Sequence, residues 1–216
     1  MTYKAIIFDL DGTLLNTLED LGNAVNRVLA KREFPTHPVD EYRSFIGDGV
    51  EKLINRALPE HNRNEDTLRA CLKAFREDYH KNWNVNTRPY EGIPELLDVL
   101  NERELKVAVL SNKPNDTTNL CVTELLARWR FDVVLGHRDR APHKPDPAGA
   151  LEIAHRLNIP PEEFLYLGDS GVDMETAIAA RMFPVGVLWG FREAEELEKS
   201  GAQALISHPL EVLNLL

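Results

Sequence analysis

The chain has 216 residues, 43% of them hydrophobic and 28% charged, and a formal net charge of −10 at pH 7. That length accommodates one sizeable core, or a core with a smaller insertion, and the balance excludes a disordered or membrane-embedded chain. The negative charge argues against nucleic acid or anionic membrane as a partner, so an anionic substrate has to be held by locally placed cations or metal.

Met1-Thr2-Tyr3-Lys4 does not resemble a signal peptide, and no apolar stretch approaches the roughly 20 residues of a spanning helix, which predicts a soluble, cytoplasmic protein. Next comes Ala5-Ile6-Ile7-Phe8, an apolar run without alternation, the pattern of a strand buried on both faces. From Thr17 to Tyr79 the periodicity is helical only. Leu18, Leu21, Val25, Val28 and Leu29 form one apolar stripe, and Leu68, Cys71, Leu72, Phe75 and Tyr79 another. Shorter helices are predicted around Val39 to Ile46 and Val50 to Leu58, separated by Gly47-Asp48-Gly49. Cys71 and Cys121 have no metal-type spacing and read as buried thiols of a reducing compartment.

After Arg88-Pro89-Tyr90-Glu91-Gly92 helix and strand alternate. Helices are predicted near Ile93 to Arg103, Asn115 to Trp129 and Pro147 to Leu157, with a short one after Asp173. Strands are predicted at Lys106 to Leu110, Phe131 to Leu135, Phe164 to Leu167 and Pro184 to Leu188, with a short apolar piece at Ala204 to Ser207. Such alternation implies an α/β fold, a Rossmann-like parallel sheet with helices on both faces. The helical block is then an insertion, giving an α/β core of residues 1–15 and 88–216 and a helical domain of residues 16–87. Because the insertion leaves the sheet at the carboxyl end of the first strand, it is expected to act as a lid.

Ligands of open α/β sheets bind at the carboxyl ends of the strands. There the first strand runs into Asp9-Leu10-Asp11-Gly12-Thr13, the second into Ser111-Asn112, and the fourth into Gly168-Asp169-Ser170-Gly171-Val172-Asp173. Lys144 stands in His143-Lys144-Pro145-Asp146-Pro147, a loop stiffened by proline. Asp169 and Asp173, four apart, are expected on one face of a first helical turn. Carboxylates gathered in this way repel one another unless a cation is present, and oxygen-only ligands suit Mg2+. With Lys144, Ser111 and backbone N–H groups added, the edge reads as a pocket for a phosphoryl group.

These four segments, in order, resemble the motifs of the haloacid dehalogenase superfamily over essentially the whole chain, and the helical block is similar to its α-helical cap. Within the superfamily the match points to the phosphoglycolate phosphatase-like group, through Asp9 to Leu14, Pro89 to Gly92, Lys144 to Pro147 and Gly168 to Asp173. The resemblance implies a Mg2+-dependent phosphatase for a small phosphorylated metabolite, 2-phosphoglycolate by default. Asp9 would be the nucleophile and Asp11 the general acid and base, with Lys144 offsetting phosphoryl charge. Asp9, Asp169 and the Asp11 carbonyl would bind metal, Asp173 through water or by orienting its neighbours. Thr13, Ser111 and Asn112 would contact the nucleophile or phosphate.

Relatives with other chemistry differ at these positions. Dehalogenases and phosphonatases lack the second aspartate. Mutases of the β-phosphoglucomutase type, the alternative reading, have Val where Thr13 stands, Glu where Gly168 stands and no acid at Asp173. A pyrophosphatase or nucleotidase would use the same core. In the cap, Gly47 and Lys52 resemble the group's substrate-facing loop, with Arg43 and Arg56 as lesser candidates. Two departures are Asn16, where many members have Asp, and Arg181, where Gly is common; both are expected to affect geometry rather than chemistry. Oligomeric state is not legible.

Overall fold

The structure, a computed structural model, describes residues 3–139 and 141–216, so Met1 and Thr2 of the leading segment lie outside it. The chain runs through β1 (Ala5–Phe8), β2 (Leu15–Asn16), α1 (Leu18–Ala30), α2 (Tyr42–Phe45), α3 (Val50–Ala57), α4 (Glu65–Asn82) and β3 (Arg88–Pro89). It continues through α5 (Ile93–Glu102), β4 (Lys106–Pro114), α6 (Asn115–Leu125), β5 (Val133–His137), α7 (Ala148–Leu157) and β6 (Phe164–Gly168). The last elements are α8 (Gly171–Ala179), β7 (Phe183–Val187), α9 (Ala194–Lys199) and β8 (Ala204–Ile206). Two compact units result, Met1–Leu15 with Pro89–Leu216, and Asn16–Arg88.

The first unit is built on a six-stranded sheet of order β5-β4-β1-β6-β7-β8, parallel throughout. This is the doubly wound order, and its switch point falls between β1 and β6. Successive strand residues face opposite sides of a sheet. Accordingly Ala5, Ile7, Ala108, Leu110, Phe164 and Tyr166 form one core with Ala150, Ile153 and Ala154 of α7 and Ala177 of α8. On the other face Ile6, Phe8, Val107, Val109, Leu165 and Leu167 are equally inaccessible to solvent. Cover on both faces is why the run Ala5 to Phe8 shows no polar alternation.

In four places the structure departs from the sequence expectations. β4 continues beyond Leu110 to Pro114, with a shift of register against β5 between those two residues, so Ser111 to Lys113 belong to an extended strand. α6 stops at Leu125 rather than Trp129, because Arg128 and the Trp129 indole N–H both bond to Asp98 and draw that segment aside. α8 starts at Gly171, which puts Asp173 in its first turn while Asp169 precedes the helix. The two acids therefore meet through a strand end and a cap rather than along one helix face. α9 has no sequence counterpart; Leu197 is its one buried residue, too little for an apolar stripe.

The second unit packs α1 on α4, burying Leu21, Val25, Val28 and Leu29 of the first helix and Cys71, Phe75 and Tyr79 of the second. Its two ends are joined by Asp20, a buried carboxylate that accepts hydrogen bonds from Asn86 N and Nδ2 and from Thr87 N and Oγ1. Asn16 accepts from the Leu18 N–H at 3.4 Å, a bond that aspartate would make equally.

Arg181 has a physical signature of its own. After α8 the chain closes with Met182 N donating to Ala177 O, and Arg181 adopts φ 59°, the left-handed conformation that glycine fills most readily at a helix end. For a non-glycine residue that conformation costs roughly 1–2 kcal/mol, part of which glycine returns through the entropy of the unfolded chain. Arg181→Gly is expected to raise the Tm by about 1–3 °C in a thermal melt, the exposed Arg181–Glu162 ion pair offsetting little. A fall in Tm would contradict this account.

Candidate active site

The carboxyl ends of β1, β4 and β6 lie side by side, and the residues that follow them converge. Asp9 leaves β1 with its N–H bonded to Leu167 O on β6, 2.9 Å away. The chain then turns tightly, Leu14 N and Leu15 N both donating to Leu10 O. Gly12 makes this turn possible at φ +87°, and a Cβ there would lie 2.2 Å from an Asp169 carboxylate oxygen. Only glycine allows the first loop to lie so close to that acid.

Lys144, with 4% of its side chain exposed, sits between two carboxylates, 2.9 Å from Asp9 Oδ1 and 2.6 Å from Asp173 Oδ1. It also donates to Leu110 O at 3.2 Å. Its backbone is held as well, because Asn112 accepts from Lys144 N through Oδ1 and donates to Lys144 O through Nδ2. The Asn112 side chain is thus a clasp for the lysine loop, a role that the sequence reading did not assign. Asp173 uses its other oxygen to cap α8, accepting from Ser170 N and Ser170 Oγ. Both Asp173 oxygens are therefore engaged within the chain.

The Thr13 hydroxyl goes to Asp169 Oδ1 at 3.3 Å, whereas the sequence reading directs it toward the nucleophile or phosphate. The other Asp169 oxygen accepts from Phe191 N at 2.8 Å. Ser111 Oγ lies within the same strand end and accepts from Lys113 N at 3.3 Å. A cavity of about 190 Å³ borders this flank, lined by Ser111, Asn112 and Lys144 with His137, Arg138 and Glu152. Gly47 and Lys52 belong to the second unit. There Asp48 pairs with Arg56 at 2.5 Å and lies 3.6 Å from Lys52, whose side chain is 64% exposed.

A second lysine escapes the sequence reading. Lys113 is 5% exposed at its side chain and places Nζ 3.0 and 3.2 Å from the two Asp11 oxygens. Its signal was alternation: with β4 extended past Leu110, Ser111 and Lys113 fall on one side of the strand. Trp189, whose indole N–H donates to Thr13 O at 2.9 Å, was also missed, because it follows a fifth strand end, that of β7.

One oxygen each of Asp9, Asp169 and Asp173 lie within 4.8 Å of one another, all three residues buried. Asp9 Oδ1 faces the Lys144 ammonium as its partner. With every acid ionised, the four carboxylates Asp9, Asp11, Asp169 and Asp173 outnumber the two lysines by two charges. A hard divalent cation with oxygen ligands supplies the missing positive charge, so the three clustered carboxylate oxygens fit one.

Residues 6–187 match the family model of haloacid dehalogenase-like hydrolases. The chain is 33% identical to a phosphoglycolate phosphatase of Nitrosospira multiformis over 99% of its own length and 95% of the relative's. It is 29% identical to a phosphoglycolate phosphatase of Aquifex aeolicus, over 99% and 96% of the two lengths. Among solved structures, a candidate phosphoglycolate phosphatase from Lactobacillus delbrueckii superposes with a TM-score of 0.93 at 30% identity, covering 100% of this chain and 98% of the other. The chain belongs to the haloacid dehalogenase-like hydrolases. Among the described residues no helix is long and apolar enough to cross a membrane.

Electrostatics makes the acids sensitive to what they bind. Burial, opposed by Lys144 and reinforced by Asp173 and Asp11, pushes the Asp9 carboxyl up to about 7. Asp169 is raised well above its usual range by burial and by the charges of Asp173 and Asp9. Burial lowers the Lys144 ammonium, but the charges of Asp173 and Asp9 outweigh it and hold the group well above the usual lysine range. A carboxyl raised on folding binds its proton more tightly in the folded state, so its contribution to stability is lost as pH climbs from about 4 to about 7. Cation binding must displace those protons. The rise in Tm produced by Mg2+ over EDTA is therefore expected to be larger at about pH 7.5 than at about pH 5.5. An increment independent of pH would contradict the assignment.

Proposed function

We propose that the protein is a Mg2+-dependent phosphatase that hydrolyses a small phosphomonoester through an aspartyl phosphate on Asp9, with Asp11 as general acid and then general base. The observation that carries this reading is that two aspartates of one strand end are paired with two different buried lysines, Asp9 with Lys144 and Asp11 with Lys113. Separate partners suit separate tasks.

Asp9 would attack phosphorus directly, since a carboxylate needs no base to become a nucleophile once ionised. As the bond to the leaving oxygen breaks, Asp11 gives that oxygen its proton. The Asp11 carboxylate then takes a proton from water, which attacks the aspartyl phosphate, releases phosphate and restores Asp9. Lys144 stays against the nucleophile throughout, while the Ser111 hydroxyl and the Asn112 N–H are suited to the phosphoryl oxygens. Asp9, Asp169 and the Asp11 carbonyl would hold Mg2+, with Asp173 orienting Lys144. Bound there, the ion would supply positive charge against the transferring phosphoryl group, which is where phosphoryl transfer gains most.

Hydrolysis is favoured over phosphoryl transfer between hydroxyls by Gly168. A Cβ at that position would lie 2.2 Å from the Asp173 Cβ and 2.3 Å from its Cγ, so any side chain at 168 would force Asp173 to move. The glutamate typical of the mutases would displace Asp173 and with it one partner of Lys144. The names of the relatives make 2-phosphoglycolate the first substrate to test. Residues 16–87 are proposed as the cap domain, with Gly47 and Lys52 reading the substrate.

Phosphate release from p-nitrophenyl phosphate with and without Mg2+, followed by a panel of phosphorylated metabolites, tests the reading. Asp9→Asn is expected to reduce release to background; near-normal Mg2+-dependent turnover by that variant would overturn the nucleophile assignment. Lys52→Ala is expected to raise KM for the preferred substrate and to leave p-nitrophenyl phosphate largely unaffected. Lys113→Met is expected to lower kcat by about 10–100-fold on an alkyl phosphate and by less on p-nitrophenyl phosphate, whose leaving group needs little acid assistance. Equal losses on both would argue against a link between Lys113 and proton transfer.

A further inference from the structure

The loop after β7, Trp189-Gly190-Phe191, touches the acidic cluster at three points. The Phe191 N–H donates to Asp169 Oδ2 at 2.8 Å. The Trp189 indole N–H donates to Thr13 O at 2.9 Å, and Thr13 in turn donates its hydroxyl to Asp169 Oδ1 at 3.3 Å. Between them the Gly190 backbone lies directly on Asp169: a Cβ there would stand 2.2 Å from the Asp169 Cβ, 2.7 Å from its Cγ and 2.6 Å from Gly12 O.

Gly190 does not owe its identity to conformation, because its φ lies outside the left-handed region and any residue could adopt it. What alanine cannot do is fit. The obstruction is the Asp169 stem together with the backbone of the first loop, neither of which is the far end of a flexible side chain. Asp169 is thus enclosed between two glycines, Gly12 and Gly190, with one oxygen fixed by a backbone N–H and the other by Thr13. Groups that orient a metal ligand typically change affinity by about 10–100-fold when they are lost.

We propose that Trp189-Gly190-Phe191 is a positioning element that sets Asp169 for the divalent cation, and that the fit of Gly190 against Asp169 is what it depends on. This rests on the reading of Asp169 as a metal ligand. Gly190→Ala pushes the Asp169 side chain off its place, while Trp189→Phe keeps a smaller aromatic ring and removes the indole N–H that bonds Thr13 O.

The test is calorimetric titration of Mg2+ into metal-stripped, full-length protein, with the metal-free Tm and the Mg2+ activation constant measured beside it. Gly190→Ala is expected to weaken Mg2+ binding about tenfold or more. Trp189→Phe, which loses one hydrogen bond, is expected to weaken it about threefold with its metal-free Tm nearly unchanged. In both variants kcat on p-nitrophenyl phosphate should return at saturating Mg2+ with KM for that substrate unaltered. Should Gly190→Ala fail to fold, Trp189→Phe decides alone. Folded variants that bind Mg2+ as wild type does, or that lose only metal-free Tm, would overturn the proposal and show a loop that merely packs. A wild-type protein that binds no Mg2+ would overturn the metal reading itself.

Discussion

The ammonium of Lys144 is the interaction on which the acidic edge of the sheet depends. It lies buried between Asp9 and Asp173, and each of those charges would be costly to bury alone. Together they are tolerable because the positive charge is shared and its backbone is clasped on both sides by Asn112. Asp173 in turn is held by Ser170 at the start of α8. The ends of β4 and β6 and the loop before α7 are therefore joined through one lysine, around Asp9 at the end of β1.

The second organising constraint is space. Gly12 and Gly168 stand where a side chain would collide with Asp169 and Asp173 respectively. Acids can be packed this closely only if their neighbours along the chain give up their own side chains. The same closeness raises the carboxyls of Asp9 and Asp169, so the geometry that assembles the site also leaves it short of positive charge. Lys113, set against Asp11, supplies some of it from an unexpected direction.

Much of this was legible in the chain. An apolar run without alternation marked β1, polar residues at the ends of predicted strands marked Asp9, Asp11, Ser111 and Asp169, and a proline-stiffened loop marked Lys144. The residues that were missed share a cause. Lys113 was hidden by ending β4 at Leu110, and Trp189 by stopping at four segments when β7 also delivers a loop to the same edge. Arg181 was noted as a departure from a common glycine, but only its positive φ explains why glycine is common there.

By itself the sequence determined the main strands and helices of the α/β unit, and which chemical groups leave β1 and β6, because periodicity and composition act over a few residues. Tertiary structure alone decided the partnerships. Thr13 bonds Asp169 across 156 positions of chain, and Lys113 meets Asp11 across 102. Such pairings depend on the order and register of strands in the sheet, and on whether two side chains can occupy the same space. No local pattern carries that information, since it comes into being only when the sheet brings distant loops to one edge.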